Sequence, residues 1–342
     1  MPDPGRCVDG NVMRCAPDPR EAVARHLPEA VSLLRELIAI RSVTGEETAA
    51  MKAVQPPFEY LGLSVERVPV SPTLRDDPDY SFREREAVYA DRPNLVATRP
   101  GSGGGHSIIL ATHIDTVPAD DWPTAFEPQQ DGEDIVGRGA CDAKGQIVTI
   151  WLALAALREA GVCLLGDIEV HLVIEEEIGG NGALAVLAAG HRADGAVVLE
   201  PTGLDVHPAN RGALWFRIRI EGRSAHMGRK HEGVSAAEKA VAIMEALGQY
   251  EERLLAESQG QPLFARYQQP VQVNVGLVRA GDWPSTVPGS ALVEGGVGFL
   301  PNKSMAEVED ELRKVISGIG DPWLRDHLTL DFPKLHNDAY AM

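Results

Sequence analysis

Residues 107–115 read SIILATHID and residues 167–177 read DIEVHLVIEEE, with the apolar stretch GQIVTIWLALAALREAG at 145–161 between them. The first two are short apolar runs that end in ionisable residues. One ends in His113 and Asp115, the other in Glu175, Glu176 and Glu177. GAVVL at 195–199 repeats the theme and runs into Glu200. Short apolar runs bounded in this way read as buried strands, and the longer stretch between them reads as a helix. Strands alternating with helices predict an α/β sheet covered on both faces. In such sheets ligands collect at the carboxyl ends of the strands, where all three clusters fall.

Towards the N-terminus, EAVARHLPEAVSLLRELIAI at 21–40 places apolar residues at helical spacing. Thr44-Gly45 ends that helix, and residues 46–53 start another. Residues 71–93 are polar and proline-punctuated and read as an excursion loop. PGSGGG at 100–105 is a turn: no strand leads into a GxGxxG pattern and no GK[ST] follows, which excludes a phosphate cradle. After about Asp205 the texture changes. LWFRIRIEG (214–222) alternates as a half-exposed strand, GVSAAEKAVAIMEAL (233–247) is an amphipathic helix, and VQVNVGLVRAG (271–281) and SALVEGGVGFL (290–300) are strands. SMAEVEDELRKVISGI (304–319) is another helix, so a β-α-β-β-α order predicts a small α+β module as a second domain.

At 342 residues the chain has the size of two domains. Its net charge of −18 repels phosphate backbones and anionic lipid, which argues against nucleic acid and membrane as partners. No run approaches the roughly 20 apolar residues of a membrane span, and Met1 to Arg20 lacks the apolar core of a secretory signal. Cys7, Cys15, Cys141 and Cys163 show no paired spacing and read as reduced thiols in a cytoplasmic protein.

Four polar clusters stand out. His113-Ile114-Asp115 offers an imidazole with a carboxylate two positions on that can fix its tautomer. Asp142 lies in GRGACDAKG (137–145), where flanking glycines permit unusual backbone angles and close approach. Three successive carboxylates in EEEIGG (175–180) repel one another unless cations or hydrogen bonds offset them. Glu200 closes its strand in LEPT (199–202). Each alone reads equally well as a packed histidine, a glycine turn, a solvated acidic turn or an ordinary strand end. Together, nitrogen and oxygen donors in this mix suit zinc or a similar divalent ion. The excess of carboxylates favours two metals sharing one bridging carboxylate, with a spare glutamate as base.

HID, GRGACDAKG, EEEIGG and LEPT, in this order and at these separations, closely resemble the metal-binding motifs of the acetylornithine deacetylase, succinyl-diaminopimelate desuccinylase and carboxypeptidase G family of zinc amidohydrolases. NRGALWFRIRIEGRSAHMG (210–228) resembles the start of that family's lid. The resemblance implies an α/β fold: a mixed-sheet, di-zinc exopeptidase-like catalytic domain with an inserted α+β lid and dimerisation domain. It places the first part of the catalytic domain at 1–205, the lid at 206–326, and the start of a return to the catalytic domain at 327–342. It implies that His113, Asp142 and Glu200 hold one zinc, with Asp115 behind His113. Asp142 would bridge to a second zinc held by Glu177, and a cis peptide would follow Asp142. Glu176 would be the general base, and His226 would reach a partner subunit's site to hydrogen-bond the oxyanion. Cobalt would substitute for zinc.

The activity so implied is hydrolysis of a linear amide, with an N-acyl amino acid or short peptide as substrate and a homodimer formed through the lid. A di- or tripeptidase or carboxypeptidase is the alternative within the family. The family's later glycine-rich segment and its final histidine ligand have no counterpart here, since neither His327 nor His336 sits in a matching context. The resemblance therefore implies a second metal site that is incomplete in residues 1–342, and a non-catalytic dimer is the reading from another class.

Overall fold

The computed structural model describes residues 18–81, 88–333 and 336–342. Cys7, Cys15, most of the segment from Met1 to Arg20, and residues 82–87 of the expected loop lie outside the described residues. The chain clusters into two units that divide between Leu204 and Asp205.

In the first unit, helix α1 (Pro19–Ala39) begins where the Asp18 carboxylate accepts from the Arg20 N–H at 2.9 Å and Pro19 occupies the first turn. It packs on α3 (Lys144–Glu159), and α2 (Thr48–Tyr60) buries Met51, Val54 and Phe58 beside them. The sheet contains β1 (Ser64–Val68), β2 (Asn94–Arg99), β3 (Ile108–His113), β4 (Ile168–Val173) and β5 (Gly195–Val198), in the order β1-β2-β4-β3-β5. β4, β3 and β5 run parallel, with Ile108 opposite both Ile168 and Gly195. β1 and β2 are antiparallel to their neighbours, so the sheet is mixed.

Side chains alternate across this sheet. Leu95, Ala97, Val170 and Leu172 join the core made with α1, α2 and α3. Val68, Val96 and Val173 meet Val186 of α4 (Asn181–Ala188) on the other face. The expected covering of every strand fails at β5. Val197 and Val198 are exposed because β5 is the edge of this sheet among the described residues.

The second unit is an antiparallel sheet backed by helices. β6 (Gly212–Glu221), β7 (Gln272–Ala280), β8 (Ser290–Phe299) and β9 (Leu328–Asp331) are ordered β7-β8-β6-β9. Leu214, Phe216, Ile218 and Ile220 of β6 point to one face, where α5 (Ala236–Glu257) adds Ile243, Leu247 and Tyr250 and α6 (Met305–Ser317) adds Val308 and Leu312. The start of α6 is fixed by a capping box between Ser304 and Glu307.

Leu328 and Leu330 pair with Ile220 and Ile218, so the alternating LTLD segment adds a strand to the second sheet, and Tyr340 pairs with Asn210 near the start of that unit. One expectation requires correction. Cys163 is disulfide-bonded, against the expectation of reduced thiols, whereas Cys141 is free and exposed. No helix of the described residues is long and apolar enough to cross a membrane.

Candidate metal centre

The parallel strands deliver ionisable groups to one edge of the first unit's sheet. His113 ends β3 opposite Val173 at the end of β4, and the chain continues from β4 into the Glu175–Glu177 turn. The Leu199 N–H donates to Ala111 O at 2.8 Å and carries Glu200 to the same edge. Asp142 arrives from the glycine-rich turn before α3. Gly139 has φ +82°, and a Cβ there would lie 2.9 Å from Thr116; a Cβ on Gly145 would lie 2.3 Å from the Ala140 carbonyl. The turn therefore depends on glycine at both positions. The Asp142–Ala143 peptide is cis.

These residues converge. His113 Nε2 lies 2.9 Å from Asp142 Oδ1, 3.7 Å from Glu200 Oε2 and 3.9 Å from Glu176 Oε2. Ligand atoms of His113, Asp142 and Glu177 all fall within 4.8 Å of one another. On the other side of the ring, His113 Nδ1 is 3.0 Å from the Asp115 carbonyl oxygen and 3.4 Å from its carboxylate. A carbonyl only accepts, so Nδ1 carries the proton and donates it. In a neutral ring that leaves a lone pair on Nε2 aimed at a carboxylate oxygen, two acceptors in contact. Either a second proton or a cation relieves the clash.

The electrostatics point the same way. Burial opposes a charge on His113, but the carboxylates of Asp115, Glu200 and Glu176 outweigh it and raise its pKa to about 11. Glu176 is pushed up to about 7, first by burial and then by Glu200, Asp115 and Glu177, against the pull of His113. Burial, then Asp142, raises Glu177. One imidazole and several mutually repelling carboxylates form a donor set that fits a divalent cation.

The supports of this cluster were largely hidden in the sequence. The Asp115 carboxylate accepts from the N–H groups of Glu176 and Glu177 at 3.1 and 3.2 Å and from the Thr44 hydroxyl at 2.9 Å. Ser42 donates to the Ile114 carbonyl at 2.7 Å, so the segment after α1 braces the end of β3. Glu175 is not a spare surface acid. At φ +62° it turns inward, is buried, and accepts from Tyr89 Oη at 2.8 Å and from Arg92 at 3.2 Å. Arg92 also donates twice to buried Glu47, at 2.7 and 2.8 Å. Lys144, fully buried, donates to the carbonyls of Leu37 and Ile40 at 2.7 and 2.8 Å and so satisfies the C-terminal end of α1. Desolvation lowers its pKa to about 8.

His226 belongs to the second unit. It is exposed at the start of a short 3₁₀ turn (Met227–Glu232), where its Nδ1 accepts from the Gly228 N–H at 3.2 Å.

Known proteins resemble this chain in sequence and fold. An N-formyl-4-amino-5-aminomethyl-2-methylpyrimidine deformylase from Bacillus subtilis is 27% identical over 70% of this chain and 60% of its own length. An acetylornithine deacetylase from Myxococcus xanthus is 30% identical over 77% of this chain and 65% of its own. The chain thus spans less than two thirds of these relatives. The crystal structure of a tripeptidase from Staphylococcus aureus superposes with a TM-score of 0.68 at 18% identity, covering 92% of this chain and 77% of that one. A model of peptidase family M20/M25/M40 matches residues 109–318, more than half of the chain and the whole span from β3 to α6, and the chain belongs to that family.

Proposed function

We propose that this chain is a metal-dependent hydrolase of linear amides that deacylates an N-acyl amino acid to a carboxylate and a free amino acid. The observation that carries the reading is the convergence of His113, Asp142 and Glu177 ligand atoms within 4.8 Å, with Glu200 and Glu176 facing the same imidazole nitrogen. Family membership and relatives named for deacetylation and deformylation support it.

In this reading His113, Asp142 and Glu200 would hold one zinc ion, and Asp142 and Glu177 would offer a second ion two carboxylates only, too few to hold it tightly. Bound zinc supplies Lewis acidity towards the amide carbonyl and acidifies water. The chain's own residues do the rest. Asp115 keeps the His113 proton on Nδ1, leaving Nε2 as the donor. Glu176, half-exposed beside the ligands, takes a proton from the attacking water as the new C–O bond forms. It then delivers that proton to the amine nitrogen as the C–N bond breaks. His226 is assigned to the oxyanion in the site of a second copy, in a homodimer formed through the second unit.

The test is amine release from N-acetyl and N-formyl amino acids beside di- and tripeptides, before and after chelation. Turnover of the N-acyl compounds, lost on chelation and restored by zinc, is expected. Turnover of peptides alone assigns a peptidase instead. No amine from any compound, with metal retained, overturns the hydrolase reading in favour of a non-catalytic chain.

A further inference from the structure

A second group of ligating side chains lies elsewhere in the first unit. Glu169 and His171 are two residues apart on β4 and so face the same side of the sheet, the side covered by α4. His191 follows α4 in the connection to β5 and turns back to them. The Glu169 Oε2 atom lies 2.8 Å from His171 Nε2 and 3.0 Å from His191 Nδ1, and one ligand atom from each residue falls within 4.8 Å of the others. The two rings stand edge to face, with centroids 5.7 Å apart. Their side chains are 6% and 16% exposed, and that of Glu169 is 20% exposed.

This group is separate from the centre at His113. The two groups share no residue, and His113 stands opposite Val173, two positions beyond His171 and four beyond Glu169 along β4, about 7 and 13 Å at strand rise.

We propose that Glu169, His171 and His191 form a site for a divalent transition metal such as zinc. Two imidazoles and one carboxylate are a well-precedented zinc donor set, leaving a fourth position for water. Tetrahedral donors about 2.0–2.1 Å from zinc lie about 3.3 Å apart, so the two separations from Glu169 open by only a few tenths of an ångström on loading while the two imidazole nitrogens, within 4.8 Å of each other, settle at the same spacing. His191 sits on a connection rather than in the sheet and supplies that movement. The exposed Glu66 carboxylate of β1 lies 3.9 Å from His191 Nε2, outside hydrogen-bond reach, and takes no part in the site. The ion pins the connection between α4 and β5 to the face of β4.

The competing arrangement is a metal-free cluster in which one carboxylate oxygen accepts from both rings, and metal uptake separates the two. Asp142→Asn in the full chain serves as the background that silences the other centre. After chelation, zinc is titrated against a chromophoric competitor while the melting temperature is followed. The background variant is expected to take up about one equivalent and to melt at higher temperature when loaded. Adding His191→Gln removes both effects. Glu169→Gln is the second ligand variant, read in the same way if His191→Gln does not fold by circular dichroism. Uptake and melting shift unchanged by the ligand substitution overturn the proposal.

Discussion

Asp115 holds both halves of the candidate centre: its carbonyl oxygen lies 3.0 Å from His113 Nδ1, and its carboxylate accepts from the N–H groups of Glu176 and Glu177 at 3.1 and 3.2 Å. One buried residue thereby sets the tautomer of the imidazole and the position of the acidic turn. Asp115→Ala keeps the carbonyl but removes the carboxylate that fixes the acidic turn and faces the imidazole, and is expected to weaken zinc affinity at this centre about 10–100-fold. Competition with a chromophoric chelator measures it, and an unchanged affinity removes the Asp115 carboxylate from the role.

Glu176 Oε2 lies 3.9 Å from His113 Nε2, and the proposed mechanism gives it the proton rather than the metal. Glu176→Gln is expected to lower kcat by about 10²–10⁴-fold while zinc content stays at the wild-type value. Loss of zinc together with activity would instead make Glu176 a ligand and shift the assignment of the acidic turn by one residue.

The buried Arg92 guanidinium joins Glu47 to Glu175, behind the acidic turn. Arg92→Ala removes the one guanidinium that both buried carboxylates share, and breaking a buried ion pair typically costs about 3–5 kcal/mol. Urea unfolding is expected to show a midpoint lowered accordingly with an unchanged slope. A loss below about 1 kcal/mol, the range of an exposed pair, would contradict a buried, interdependent triad.

Asp321 in the second unit is held below the usual carboxylate range, first by its bond to Lys239 and also by the backbone N–H groups of Trp323 and Leu324. A depressed folded pKa adds stability that is complete above the unfolded value of about 3.9 and is lost as pH falls through the folded one. Wild type is therefore expected to melt above Asp321→Asn at neutral pH, with the gap closing below about pH 4. A gap independent of pH between neutral and strongly acidic conditions contradicts this.

The parts of the fold legible in the sequence are those whose burial is local and continuous. β3, β4 and α3 are apolar runs because the interior claims most of their surface. β1 was not legible: in Ser64–Val68 only Val68 is buried, so no clean period emerges. LTLD is not among the strands read from the sequence, and its place beside β6 follows from pairing across more than a hundred residues. The His113, Asp142, Glu177 and Glu200 set was legible because each member sits in a short motif at the end of a strand or before a helix. Glu175 was not, since its Arg92 partner lies 83 positions earlier and leaves no local pattern. The cluster at Glu169, His171 and His191 escaped for the same reason, because one ligand comes from a connection 22 residues away from Glu169.

The most direct measurement counts zinc at the centre on which the proposed chemistry depends. The full chain carrying His191→Gln, which leaves this one cluster to be counted, is dialysed and assayed for metal beside the same chain carrying Asp142→Asn as well. About one equivalent in the first and a loss of most of it in the second is the expected result. Equal zinc in both, or none in either after loading, would contradict a metal centre built on His113, Asp142, Glu177 and Glu200.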